Sequence, residues 1–138
     1  MDGLDEPWVA CRFFSAGPEP REEYGYARRG LALTHAGWAD NRRITRWTLW
    51  HIGSGGRLAE FTGDVATVFP AAYAVAECAD WTAFDMPQGW RQTDPDAPSK
   101  LAAVLEMHPE ASPVRVVDAV TDDQARAVVA AREALDRG

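Results

Sequence analysis

The strongest constraint on the fold is a run of β-branched and aromatic residues that ends in a glycine-rich turn. Residues 43–52 include Trp47 and Trp50 among isoleucines and threonines, a composition typical of β-strands. Residues 53–56 read Gly-Ser-Gly-Gly, and glycine enters the left-handed conformations of hairpin turns without steric cost. Residues 57–61 then provide a returning strand. The segment therefore predicts an antiparallel hairpin.

A further strand precedes this hairpin and a helix follows it. In residues 27–35 apolar side chains alternate with small or polar ones, the period of a strand. After the hairpin, the alanine-rich residues 71–79 favour a helix, with Thr67 as its cap and Pro70 in its first turn, where a missing N–H is tolerated. The prediction is an α+β fold: a three-stranded antiparallel meander packed by a helix.

The C-terminal part predicts a loop followed by a helical β-α unit. Residues 85–98 contain three prolines and a glycine, which is typical of a linker. Beyond it, Leu101 and Leu105 mark one face of a helix that Pro109 ends, and residues 113–117 can form a short strand. Residues 121–124 read Thr-Asp-Asp-Gln, the pattern of a capping box that opens the last helix.

These elements suggest one domain in four parts. Residues 1–23 are interpreted as a tail or edge strand, 24–84 as the sheet-plus-helix core, 85–98 as the linker, and 99–138 as a C-terminal helical unit packed on the core. The chain has 138 residues, of which 46% are hydrophobic. That length and composition suit one globular domain.

Several broad classes are disfavoured by composition. No apolar run is long enough to span a bilayer, so no membrane partner is expected, and the acidic start of the chain is unlike a signal peptide. Two cysteines, Cys11 and Cys78, are too few for a disulfide scaffold and suggest reduced thiols in a cytoplasmic protein. The high alanine, arginine and tryptophan content suggests a bacterial or phage origin. The oligomeric state is left open.

Charge is distributed unevenly along the chain. The net charge is −7, yet residues 24–58 hold six arginines against one acidic residue, Asp40. Residues 59–138 carry a net charge of −8. A basic block of this kind predicts a local positive surface on an acidic body, unless these arginines pair with the protein's own carboxylates.

The sequence lacks the motifs of common catalytic and cofactor sites. The histidines and cysteines have no metal-ligand spacing, and we interpret His35 and His51 as strand-end residues bonded to turn backbone. No serine lies in a nucleophile elbow. The glycines of residues 53–56 precede a strand instead of a phosphate-binding helix. We therefore expect no metal, no cofactor and no enzymatic activity.

The remaining candidates for a functional site are basic and aromatic residues. Arginine grips phosphates, and exposed aromatic rings stack on bases. In the central strand Trp47 and Trp50 point to opposite faces, so one of them should be exposed if a helix covers a single face. The candidate binding residues are Arg28, Arg29, Arg42, Arg43, Arg46, Arg57, Trp38, Trp47 and Trp50.

The order of three strands and one helix in residues 27–80 resembles that of plant AP2 domains and of the N-terminal domains of some integrases. Those domains lay a three-stranded sheet in the major groove of DNA, so the resemblance implies a DNA-contacting sheet. It rests on element order and on no diagnostic motif.

Three hypotheses about function follow. The first is a small non-enzymatic binding protein whose basic, aromatic-bearing sheet contacts a polyanion, above all DNA. The second is an acidic protein–protein adaptor or inhibitor, in one form a nucleic-acid mimic, that offers its C-terminal helices to a basic protein partner. The third is an enzyme or small-ligand binder with a pocket between the sheet and the C-terminal helices.

Overall fold

A computed structural model describes residues 8–38, 45–82, 95–117 and 120–137, with the backbone alone at 36–38. The expected linker at 85–98 lies largely outside the described residues, as do residues 1–7 of the expected tail. Among the described residues, no helix is both long and apolar enough to cross a membrane.

The fold is α+β, as predicted, but the part of the sheet that the structure describes has six strands. Its strands are β1 (Val9–Ser15), β2 (Arg21–Arg28), β3 (Leu31–Trp38), β4 (Thr45–His51), β5 (Arg57–Thr62) and β6 (Val114–Arg115). They lie in chain order, and every neighbouring pair is antiparallel. The predicted meander corresponds to β3–β5, with β1 and β2 added on one side and β6 on the other.

Three helices are described, together with a short 3-10 turn at Pro109–Ala111: α1 (Val65–Glu77), α2 (Ala97–Glu106) and α3 (Asp122–Arg137). The capping box that opens α3 is confirmed. The Gln124 amide donates to Thr121 Oγ1 at 3.1 Å, and the Thr121 amide donates to Gln124 Oε1 at 3.0 Å. Each side chain thus satisfies a backbone donor that the helix leaves open.

The cap predicted for α1 was wrong. Asp64 is the cap residue, and its Oδ1 accepts a hydrogen bond from the Thr67 amide at 2.9 Å. Because the helix starts at Val65, Pro70 lies beyond the first turn instead of within it. Aspartate and threonine are both good cap residues, and the sequence here offers both within four positions.

The main core lies between one sheet face and helices α1 and α2. Apolar side chains at alternate positions of β3, β4 and β5 project from this face, and α1 packs on them. The largest contributors are Leu31, Leu33, Trp47, Leu49, Phe61, Val68, Val75 and Trp81. Leu101 and Leu105 of α2 belong to the same cluster, so α2 and the sheet share one hydrophobic core. The indole N–H of Trp81 donates to the Val75 carbonyl at 2.9 Å.

The sheet curls, because β2 pairs with β3 in the same sheet and yet Phe13 of β1 reaches Trp50 of β4. The curl brings the N-terminal hairpin, which we define as β1 and β2, over the opposite sheet face. The Phe13 ring, almost fully buried, lies 6.0 Å from the ring of Trp50. At the end of β1, the Ala16 amide donates to the Gly55 carbonyl at 2.9 Å. The hairpin therefore reaches from its own edge of the sheet to the turn between β4 and β5.

Helix α3 closes the same face. Val128 is buried, and its Cγ2 lies 2.9 Å from the position that a Cβ on Gly55 would occupy. One turn later, Arg132 Nη1 donates to the Ile52 carbonyl at 3.2 Å. The turn between β4 and β5 is thus enclosed by the hairpin and by α3.

Gly55 is the residue on which this enclosure depends most directly. Its φ is +76°, and an added Cβ would lie 2.7 Å from the Ala16 nitrogen. Both the left-handed backbone and the close approach exclude a side chain. In contrast, a Cβ on Gly17 would meet only the Glu19 carbonyl oxygen, at 3.5 Å.

We predict that Gly55→Ala lowers the free energy of unfolding by about 2 kcal/mol or more, because it combines backbone strain with a clash against Ala16. Gly17→Ala is the matched control and should change stability by less than about 0.5 kcal/mol. Urea unfolding followed by tryptophan fluorescence measures both. Equal stabilities of the two variants would contradict the enclosure of this turn.

Candidate binding surface

The sequence predicts Arg28 as a binding residue, and the structure places its side chain in the interior. Its side chain is only 4% exposed and forms an ion pair with Glu77 at the end of α1. The guanidinium also lies over the Tyr73 ring, 4.4 Å from the centroid. A buried guanidinium held by a carboxylate and an aromatic face is a structural element of the interior.

Arg29 shares the same carboxylate. Its Nε lies 3.5 Å from Glu77 Oε2, and the side chain is about half exposed. The hydrogen bond from Arg28 is the main cause that lowers the pKa of Glu77 below its ordinary value, with further contributions from Tyr73 and Arg29. Glu77 therefore neutralises two of the six arginines at one point.

The other predicted arginines divide into three cases. Arg57 Nη1 lies 2.9 Å from Glu60 Oε1, so it too is paired with a carboxylate. Arg46 is exposed on β4. Arg42 and Arg43 lie outside the described residues. Of the four described arginines in the predicted set, three are thus bound to the protein's own glutamates, the alternative that the charge pattern left open.

The side chains of Trp47 and Trp50 do not form an exposed binding surface either. Trp47 is 8% exposed and belongs to the main core, where its indole N–H donates to Gly63 O at 3.1 Å. Trp50 points to the other face, as the alternation required, but lies against Phe13 and donates to Thr34 Oγ1 at 2.9 Å. The side chain of Trp38 is outside the described residues.

A different aromatic group reaches solvent. We call Trp8, Tyr24, Tyr26, His35 and Phe69 the aromatic surface. Tyr24 is 69% exposed and Tyr26 is 45% exposed. As alternate residues of β2 they share one sheet face.

Phe69 of α1 stands at the centre of this surface. Its ring centroid lies 5.7 Å from that of Trp8 and 6.3 Å from that of Tyr26. It also packs edge-on against the buried Trp47 at 5.6 Å, and Trp47 in turn lies 5.0 Å from the exposed His35. Tyr26 and His35 therefore contact aromatic rings, Phe69 and Trp47, that continue into the core.

The aromatic surface was missed because β2 does not look like a strand in the sequence. Residues 21–28 contain four charged residues and a glycine, which depress strand propensity. The alternation of Tyr24 and Tyr26 was the available signal. This alternation indicates an exposed sheet face only when β2 is known to pair with β3.

His51 and Ser54 form a buried pair behind the turn that follows β4. His51 Nδ1 lies 2.8 Å from Ser54 Oγ and accepts a hydrogen bond from the Ser54 amide at 3.1 Å. Its Nε2 lies 2.9 Å from the Trp81 carbonyl oxygen. The prediction that His51 binds turn backbone is confirmed. Both side chains are buried, and the pair holds the turn against the segment after α1.

The cysteines are free thiols, and burial raises the pKa of Cys11 above its ordinary value. In the described part of the chain, no group of three histidine, cysteine or acidic residues is placed to hold a metal ion.

Comparison of the chain with models of known families, with curated proteins and with solved structures found no match in any of the three.

The Arg28–Glu77 pair predicts a specific pH dependence. Because the pKa of Glu77 is lowered in the folded protein, its contribution to stability is present above its ordinary pKa and is lost as the pH falls through the lowered value. At about pH 7, Glu77→Gln should reduce the free energy of unfolding by about 2 kcal/mol. This value is smaller than that expected for a fully buried ion pair, because the Glu77 side chain is one-third exposed and solvent screens its charge.

The difference between wild type and Glu77→Gln should shrink as the pH falls below the ordinary pKa of a glutamate and through the lowered pKa of Glu77. Glu106→Gln replaces an exposed glutamate and serves as the control. Urea titrations at several pH values measure the effect. A stability difference that stays constant over this range would contradict the role of the Glu77 charge.

Proposed function

We propose that this chain is a non-enzymatic protein-binding module whose contact site is the aromatic surface. The observation that supports it most is the pair of exposed tyrosines, Tyr24 and Tyr26, of which Tyr26 lies against Phe69 and, through it, against Trp47 of the core. Tyrosine and tryptophan provide large contact area at low entropic cost and are enriched where proteins meet.

The border of the aromatic surface suggests the chemistry of the partner. Tyr24 donates through its hydroxyl to Glu22 at 2.7 Å. At the other end, the exposed Asp64 caps α1 just before the exposed Val65. Glu22 is also paired with Arg12 of β1, whose Nη1 lies 3.4 Å from Glu22 Oε1, and Arg12 lies opposite Tyr24 in register. A partner with an apolar centre and both acidic and basic residues around it would complement this border.

The C-terminal helices support the adaptor hypothesis less well. Although α3 carries four acidic residues, it also carries three arginines. Arg126 Nη1 lies 3.0 Å from Asp123 Oδ1, and Arg132 bonds to the turn after β4. This helix presents a mixed surface and packs by its apolar side, so the proposal moves the contact from α3 to the aromatic surface.

Fewer of the predicted arginines than expected support the polyanion hypothesis. Arg28, Arg29 and Arg57 are held by Glu77 and Glu60, so a phosphate would have to compete with an internal carboxylate for each of them. Arg46 is the exposed member of the described set without such an ion pair to another described residue. DNA binding is therefore the alternative function, and the DNA titration described below distinguishes it from protein binding.

The test is affinity capture from a lysate of the source cells, followed by reconstitution with the purified partner. We expect one partner in stoichiometric amount, and Tyr24→Ser/Tyr26→Ser should weaken its binding at least about tenfold, the size of effect typical of tyrosine anchors. Val9→Ser is the matched control. It is an exposed apolar residue on the neighbouring strand, but it points to the opposite face.

A parallel titration with fluorescent duplex DNA at two salt concentrations examines the alternative. Tight binding that weakens steeply with salt and is reduced further by Arg46→Glu would overturn the proposal in favour of a polyanion. Partner binding that is unaffected by the two serine substitutions would exclude the aromatic surface as the contact site.

A further inference from the structure

An open cavity lies at the β6 edge of the sheet, far along the strand order from the aromatic surface. Its volume is about 420 Å³, and we call it the edge cavity. It lies between α2, the 3-10 turn and β6, and its lining is Ala102, Leu105, Glu106, Pro109, Ser112, Pro113 and Arg115. Its walls are mainly apolar, and its size falls in the range of sites that accept a side chain or small ligand.

The strand beside the edge cavity has backbone groups that no described strand pairs. β6 is the last strand in the sheet order. The Val116 amide donates to the Leu58 carbonyl at 3.0 Å. The backbone N–H and C=O groups of Val116, and of Val114 two residues earlier, therefore face β5. In an antiparallel ladder the intervening residue points its N–H and C=O the other way. Arg115 therefore directs its backbone groups away from β5, to the edge at which no described strand pairs.

The edge cavity lies where an added strand would place side chains. Arg115 pairs in register with Ala59, which belongs to the main core beneath the helices. A strand laid along β6 would put alternate side chains on this same face. Those side chains would enter the space between β6 and α2, which is the edge cavity.

The lining also carries two opposite charges. Glu106 and Arg115 are both exposed, and neither side chain makes an ion pair or hydrogen bond to another described residue. Next to them in the chain, Val114 is 58% exposed and Met107 is the most exposed large apolar residue described. The edge thus combines unpaired backbone, an apolar cavity, one acidic group and one basic group.

We propose that the β6 edge binds an extended peptide segment of a partner protein by strand addition. The segment pairs with the backbone of Arg115, places an apolar side chain of valine or leucine size in the edge cavity, and carries a basic residue towards Glu106 and an acidic residue towards Arg115. Backbone pairing provides affinity in this mode of recognition, and the side-chain cavity provides specificity. This site shares no residue with the aromatic surface, so either proposal can fail alone.

The test begins with a phage-displayed library of random short peptides selected on the intact chain. Enriched peptides should share an apolar residue flanked by one basic and one acidic residue. A synthetic copy of the most enriched peptide is then titrated into the labelled protein and followed by NMR. We expect contacts between its backbone and Arg115, and between its apolar side chain and Ala102.

Two pairs of variants separate the parts of this site. Ala102→Phe fills the edge cavity and should weaken the peptide at least about tenfold by a direct clash, while Ala103→Phe, on the exposed side of the same helix, should not. Arg115→Pro removes an outward N–H that β5 does not use and should abolish binding, since proline is tolerated on edge strands. Arg115→Ala should weaken binding only in part.

Three results would overturn the proposal: selection of no peptide, peptides whose NMR contacts lie elsewhere, or equal effects of Ala102→Phe and Ala103→Phe. Self-association of the chain through β6, seen by light scattering and blocked by Arg115→Pro, would also overturn it, because the occupant would then be a second copy. Thermal unfolding of every variant ensures that lost binding reflects the edge and not a lost fold.

Discussion

The contact of the N-terminal hairpin with the turn after β4 determines which surfaces the rest of the molecule can present. The Ala16–Gly55 hydrogen bond and the packing of Phe13 on Trp50 close the second sheet face. Without that closure, Trp50 and the neighbouring polar side chains would form an open β-surface. With it, the exposed aromatic residues described are Tyr24 and Tyr26 of β2 and His35 of β3.

Local signals in the sequence were sufficient for many elements. The β4–β5 hairpin, the final helix and its capping box each depend on residues that are close in the chain, such as Thr121 and Gln124. The α+β class followed from them. The strand β2 was hidden because charged residues and Gly25 mask its alternation, and a Cβ on Gly25 would meet the Leu33 carbonyl oxygen at 2.6 Å, a constraint that arises only from the neighbouring strand.

The candidate site was harder to predict because it depends on contacts between distant parts of the chain. Arg28 and Glu77 are 49 residues apart, and the sequence gives no means to see that α1 brings this carboxylate to β2. The charge pattern did indicate that pairing with internal carboxylates was one outcome. The same reasoning explains Trp50, since the ring that covers it belongs to β1, which the sequence left as a tail or an edge strand.

The central claim is that the hairpin covers the second sheet face, and NMR of the wild-type chain tests it most directly. Nuclear Overhauser contacts between the Phe13 and Trp50 rings, with slow hydrogen exchange at the Ala16 amide, are expected from their separation and hydrogen bonding. Absence of those ring contacts together with an Ala16 amide that exchanges at the rate of an unfolded chain would contradict the account and return Trp50 to the set of exposed binding residues.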